Sequence, residues 1–217
     1  REDLGSWDDL REKLGEVVGE EKVFDTWMDS SNSNLYVSGY LSEPEVFEKA
    51  FPTGIRPQGK EIVRTWLYYT LLKSALLLDS PGFKHIWIDG LGMDPWGRKM
   101  SKSLGNIIPA KKAMNDLGAD ILRLWVASSD YRNEIAASDE IFKRTSDAYR
   151  RIRNTSRFLL ANLAGFDPLA HKLPADQLLP LDRWICSRAG DLQVELEAAY
   201  ETYQFHQVFH RIHTFCG

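Results

Sequence analysis

Two cysteines among 217 residues, Cys186 and Cys216, with no CxxC spacing between them, leave no material for a disulfide framework or a structural zinc site. A long hydrophobic run is also missing. The most apolar stretch, IVRTWLYYTLLKSALLL from Ile62 to Leu78, contains Arg64 and Lys73 and is too short and too charged to span a bilayer. Nor is there a surplus of positive charge. The 27 basic and 31 acidic side chains give a formal charge of -4, which argues against a generally polyanion-binding surface but allows a local basic face. Internal repeats and low-complexity tracts are absent. The opening REDLGSWDDLREKLGEVVGE is charged from its first residue and does not read as a signal peptide. The expectation is a cytoplasmic chain with no membrane partner and no tightly bound metal.

What remains is ordinary globular material, 43% hydrophobic and 27% charged, enough for one domain or two small ones. Residues 8–18 carry Leu10, Leu14 and Val17 or Val18 at the spacing of a short amphipathic helix. KVFDTWMDSSNSNLYVSGY reads as a strand entering a polar loop, and FPTGIRPQGKE, with two prolines and two glycines, as loop. Glu61 to Leu78 follows as a helix apolar nearly all round, hence expected to be mostly buried. A short strand is expected at His85 to Asp89, leading into a glycine-bearing loop. A helix, a strand and such a loop make one unit of an α/β fold, in which ligands sit at the carboxyl ends of strands.

Beyond Pro109 the pattern becomes helical. AKKAMNDLG and ADILRLWVASS are short helices separated at Gly118, and a long helix runs from an N-cap at Ser138 to about Ala164, with Asp139 and Glu140 in its first turn. Two further helices cover about Leu181–Tyr200 and Gln204–Phe215. The expected organisation is an α/β part over 1–108, a junction over 109–137 and an all-α bundle over 138–217.

The densest chemistry lies in WGRKMSKSLGN, Trp96 to Asn106. Arg98, Lys99 and Lys102 stand beside the hydroxyls of Ser101 and Ser103, and Gly97 and Gly105 let the backbone turn. Ammonium groups on such a loop act as point charges for phosphate. On the long helix, Ile141, Ala148, Ile152 and Leu159 form an apolar stripe, with Lys143, Arg150, Arg153 and Arg157 about half a turn away, a basic stripe open to two readings, a solvated face or a track for an RNA backbone. His206, His210 and His213 have helical spacing but no convincing carboxylate or cysteine beside them, and read as structural or surface residues. Tyr200, Tyr203 and Phe205 read as helical packing.

KMSKS, Lys99 to Ser103, matches in full the second signature of class I aminoacyl-tRNA synthetases, and the flanks in GRKMSKSLGN resemble the isoleucine, valine and leucine branch. DTWMDSS (Asp25 to Ser31) resembles that branch's catalytic domain. RPQGKEIVRTW (Arg56 to Trp66) resembles the valine enzymes. LGADILRLWVASSDY, AYRRIRNTSRFLLANLAGFDP and LDRWICSRAGDLQ are similar to bacterial isoleucine enzymes, so the sequence leaves valine and isoleucine both open.

The resemblance implies the second half of a Rossmann-like nucleotide-binding domain followed by the start of a helical anticodon-binding domain. It implies ATP, brought with Mg2+ as substrate, and a branched aliphatic amino acid and tRNA as partners. Lys99 and Lys102 would then be catalytic on the β- and γ-phosphates, within an ATP site of Gly59, Glu61, Lys99, Met100, Ser101, Lys102 and Ser103. Glu61 stands where many relatives carry aspartate. Trp27, Asp29 and Trp66 would line the amino-acid pocket, and Arg150, Arg153 and Arg157 would meet tRNA. The family's first signature, a HIGH-type sequence, has no match among the five histidines. The expectation is therefore a fragment that lacks the N-terminal half of its catalytic domain and is inactive alone, or else a non-catalytic tRNA-binding module of the same ancestry.

Overall fold

The computed structural model describes residues 6–14 and 19–217. It divides into two compact units, Arg1–Arg56 with Glu61–Ile86, and Pro57–Lys60 with Trp87–Gly217.

In the first unit, helix α1 spans Trp7–Leu14, while Val17 and Val18 of the helix expected over 8–18 lie outside the described residues. Helices α2 (Thr26–Ser30), α3 (Ser33–Val37) and α4 (Pro44–Ala50) follow. The strand expected from KVFDTWMDSSNSNLYVSGY is thus replaced by two short helices. Asp25 explains the first of them: its Oδ1 accepts from the backbone N–H of Trp27 at 2.8 Å and Met28 at 3.3 Å, capping α2 before any strand pairing is available. Pro44 opens α4 from the position where a missing N–H costs nothing.

The loop expected at FPTGIRPQGKE is strand β1, Thr53–Gly59. It pairs with β2, Phe83–Asp89, in a two-stranded sheet, where every strand is an edge and proline is tolerated. The helix expected from Glu61 starts as a 3-10 turn over Lys60–Ile62 and a π-helical turn over Val63–Leu67 before becoming α5, Tyr68–Leu78. It is not mostly buried. Its two buried residues are Thr70 and Ser74, whereas Leu76 is 77% exposed and Leu71, Leu72 and Leu77 are also exposed. The interior of this unit is polar: Ser31, Asn34, Ser38, Arg56, Thr70 and Ser74 are buried beside Leu35 and Phe83. Hydroxyls joined to backbone carbonyls hold it together, with Ser38 Oγ donating to Asn34 O at 2.7 Å and Thr70 Oγ1 to Trp66 O at 2.7 Å.

The second unit holds strands β3 (Gly92–Met93) and β4 (Ile135–Ala136), paired in parallel with Gly92 opposite Ile135 and Met93 opposite Ala136. Between them come α6 (Ala110–Leu117) and α7 (Ala119–Ala127), the helical crossover that a parallel pair requires. They break at Gly118 as expected, where φ is 90°. Gly90 makes a close approach: a Cβ there would lie 1.9 Å from the carbonyl oxygen of Asn133. Helix α8, Asp139–Ala161, is capped as expected by Ser138, whose Oγ accepts from the N–H of Ile141 at 3.2 Å. Trp125 on α7 meets Phe142 on α8 edge to face at 5.2 Å and donates its indole N–H to Ala136 O at 3.1 Å.

Helices α9 (Pro180–Glu201) and α10 (Phe205–Phe215) pack on each other and match the expected pair of segments. Trp87 anchors an aromatic cluster, stacked on Tyr131 at 5.1 Å, edge to face with Tyr203 at 4.8 Å and tilted against Phe205 at 5.4 Å. The architecture is α/β with helices. No helix among the described residues is long and apolar enough to cross a membrane.

Candidate functional site

The loop carrying Lys99 and Lys102 is built around one carboxylate. Asp94, whose side chain is 3% exposed, accepts four hydrogen bonds. They come from the backbone N–H of Trp96 (3.0 Å) and Arg98 (2.9 Å), from Arg98 Nε (2.7 Å) and from Asn106 Nδ2 (3.0 Å). Desolvation pushes the Asp94 carboxyl up, but these donors together outweigh it and hold it at about 2. Asn106 closes the far side of the loop. Its amide oxygen accepts from the N–H of Ser101 at 2.9 Å, and its Nδ2 also reaches Lys99 O at 3.3 Å.

A bridge from Met93 to Lys99 and a bond from Met100 N–H to Gly92 O at 3.2 Å tie the loop to β3. Gly97 and Gly105 sit at φ 75° and 66°, and a Cβ on either would meet nothing, so conformation and not space asks for glycine. Ser101 and Ser103 share a hydroxyl contact at 3.1 Å. Lys99, Lys102 and Ser103 are exposed, and Met100 and Ser101 half-buried. Five neighbouring side chains of the expected ATP site are therefore displayed on one pinned turn, with cations outward.

Gly59 ends β1, and in the same unit Lys60 pairs with Glu134, which also accepts from Leu91 N–H and is held below the usual carboxylate range chiefly by Lys60. Gln58, one residue before Gly59, is 5% exposed, and neither end of its amide has a hydrogen-bond partner. A buried amide left open in this way is costly. Sequence reasoning passed over Gln58, although it stands inside the RPQG stretch that was singled out.

In the first unit, α2 packs against the π-helical turn, which brings the helix of Trp27 and Asp29 beside Trp66. Trp27 is 41% exposed, Asp29 and Glu61 are exposed, and Trp66 is half-buried with its indole N–H unpartnered. Arg56, 6% exposed, lays its guanidinium over the Trp66 ring at 3.7 Å from the centroid. A desolvated stack of this kind contributes about 2 kcal/mol. Burial lowers the Arg56 guanidinium to about 10, which still leaves it a cation at neutral pH.

Arg150, Arg153 and Arg157 are all exposed on α8. Arg150 is paired with Asp147 at 3.1 Å, while Arg153 and Arg157 have no carboxylate partner among the described residues. The apolar stripe on the opposite side is half-buried at Ile141, Ala148 and Ile152 but exposed at Leu159, because α8 outruns what it packs on. Between α6 and α8 lies a cleft of about 560 Å³ whose charged lining is mixed, Lys112, Lys143 and Arg150 against Asp116, Asp139 and Asp147. Among the described residues no group of three or more His, Cys, Asp or Glu is placed to hold a metal ion.

The family model of tRNA synthetases class I (I, L, M and V) matches residues 2–138. The chain is 45% identical over 213 residues to the isoleucine–tRNA ligase of Thioalkalivibrio sulfidiphilus, covering 96% of this chain. It is 43% identical over 214 residues to that of Methylococcus capsulatus, covering 99%. It spans 22% of the length of each. In fold it is similar to the Agrobacterium radiobacter K84 agnB2 LeuRS–tRNA–LeuAMS ternary complex, with a TM-score of 0.76 at 23% identity, covering 93% of this chain and 27% of that one. Mycobacterium tuberculosis methionyl-tRNA synthetase in complex with methionyl-adenylate gives a TM-score of 0.67 at 22% identity, covering 88% and 38%. With its signature loop intact and matched in sequence over nearly its full length, the chain belongs to the class I tRNA synthetases of the I, L, M and V group.

Proposed function

We propose that this chain is the part of an isoleucine–tRNA ligase that carries the phosphate-binding loop, the stem-contact junction and the start of the anticodon-binding bundle, divided at 1–108, 109–137 and 138–217. The observation that carries the reading is the loop itself: a turn fixed from within by Asp94 and Asn106, with Lys99 and Lys102 left facing outward. In the reaction a carboxylate oxygen of the amino acid bonds to the α-phosphorus of ATP as the bond to the β-phosphate oxygen breaks. Pyrophosphate leaves, and the acyl group then passes to the tRNA 3′ end as AMP departs. Lys99 and Lys102 stabilise the charge on the departing pyrophosphate, with Mg2+ arriving on ATP.

Met100, Ser101 and Ser103 complete the loop, and Gly59 and Glu61 take the ribose, with Gln58 beside them. Trp27, Asp29 and Trp66 form the pocket for the branched side chain. Arg153 and Arg157 meet tRNA phosphates directly, and Arg150 does so on leaving Asp147. The N-terminal half of the catalytic domain is the required partner, and the exposed leucines of α5 are suited to a packing surface of that kind.

The test is ATP–pyrophosphate exchange with isoleucine and valine in parallel, on this chain alone and with the N-terminal half supplied. Exchange only in the complemented mixture, faster with isoleucine, is the expected result. Exchange by the chain alone would overturn the need for a partner, and preference for valine would overturn the amino acid. No exchange in either, with salt-dependent tRNA binding retained, would favour a non-catalytic RNA-binding module.

A further inference from the structure

Arg56 is a buried cation with an unusual set of neighbours. Its Nη2 donates to Ser33 Oγ at 3.1 Å and to Thr70 Oγ1 at 3.0 Å, while Nε is buried with no hydrogen-bond partner. No carboxylate pairs with it among the described residues. Buried guanidinium groups are ordinarily matched to a carboxylate, and one that is not must be held for another reason. The reason visible here is the indole beneath it. Thr70 Oγ1, which receives the Arg56 bond, lies 2.7 Å from Trp66 O, so the arginine is linked to the Trp66 backbone through one hydroxyl and to its ring by stacking at 3.7 Å. Trp66 sits in the π-helical turn over Val63–Leu67, a departure from α-helical geometry that recurs at functional sites. One face of the ring is covered by the Arg56 guanidinium. A planar, delocalised cation can do this, and the compact ammonium of lysine cannot.

We propose that Arg56 is a positioning residue that sets where the Trp66 ring stands in the amino-acid pocket, and through it the discrimination between side chains differing by one methylene. The inference rests on the reading that Trp66 lines that pocket. Discrimination of this kind is narrow, because one methylene separates substrates by only about 10- to 200-fold, so a small displacement of one wall is enough to change it.

The experiment uses the complete ligase carrying this segment, with ATP–pyrophosphate exchange measured for isoleucine and valine. Arg56→Met should raise KM for both amino acids by roughly tenfold and narrow the isoleucine-to-valine ratio of kcat/KM, with KM for ATP unchanged. Arg56→Lys should fail to restore the ratio. Ser33→Ala, which removes one guanidinium bond at a half-buried site, should move the same ratio in the same direction by a smaller factor, and it decides the matter if Arg56→Met does not fold. Trp66→Ala separates the two readings. If it raises KM for the amino acids while the Arg56 and Ser33 variants leave KM and ratio unchanged, the pocket stands and the positioning role is overturned. If Trp66→Ala itself has no effect, the pocket reading fails and the inference falls with it.

Discussion

Two buried charges stand for two regions of this molecule. Asp94, under the lysine loop, receives four donors, three of them from residues two to four positions along the chain and one from Asn106. Arg56, in the polar interior of the first unit, has two hydroxyls, an indole face and an open Nε. The carboxyl is pulled down to about 2 because hydrogen bonds outweigh its desolvation, and the guanidinium is pulled down to about 10 because desolvation has nothing comparable to oppose it. A charge saturated by its own loop is a structural hub, and what it supports can be displayed to solvent. A charge left half-matched retains the capacity to answer to something beyond itself.

The comparison can be broken or sharpened by experiment, beginning with the largest effect. In the complemented enzyme, Lys102→Ala should lower kcat for ATP–pyrophosphate exchange by about 10²- to 10³-fold while tRNA affinity is unchanged. A parallel loss of tRNA affinity would show that the loop is a general cation patch. Asp94→Ala leaves both lysines in place and removes only their support, and it should reduce exchange by roughly tenfold or more. An unaltered rate would mean that the four-bond hub is dispensable.

Acid probes the same hub without mutation. The folded carboxyl lies below its ordinary 3.8, so its contribution is complete above that value and is lost as pH falls through about 2. The amide protons of Trp96 and Arg98 should titrate together near that lower value in an NMR series. A midpoint near 4 would contradict the saturated geometry. The smallest effect belongs to α8, where Arg153→Gln and Arg157→Gln should each reduce the slope of log affinity for tRNA against log salt by about one. Arg150→Gln should change it less, since that side chain is already engaged by Asp147 at 3.1 Å.

Much of this was legible along the chain, for local reasons. Gly118 separates α6 from α7, Ser138 caps α8, and Gly97 and Gly105 have the positive φ that their loop suggested, because each effect is completed within a few residues. The errors came where distance in sequence hides the partner. Prolines and glycines made 51–61 read as loop, yet β1 forms because β2, some thirty residues later, supplies its hydrogen bonds. The apolar residues of α5 suggested burial, but Thr70 and Ser74 are the ones turned inward, where hydroxyls meet carbonyls that no periodicity rule counts. Asp94 and Arg56 were passed over for the same reason. Asp94 stands two residues before the quoted motif and gains its meaning only when Asn106 folds back on it, and Arg56 only when Trp66, ten residues on, slides beneath it.

The pinned loop has a mechanical consequence. One foot of the arch is fixed where Trp96 and Arg98 bind Asp94, and the other where Asn106 grips Asp94, Lys99 and Ser101. Only the crown from Lys102 to Gly105 is left between the footings, and even there Gly105 N–H holds Lys102 O at 3.2 Å. An arch this short has little travel of its own. What reaches beyond the footings is the exposed Lys102 side chain at the crown, a boom on a mast that stays still.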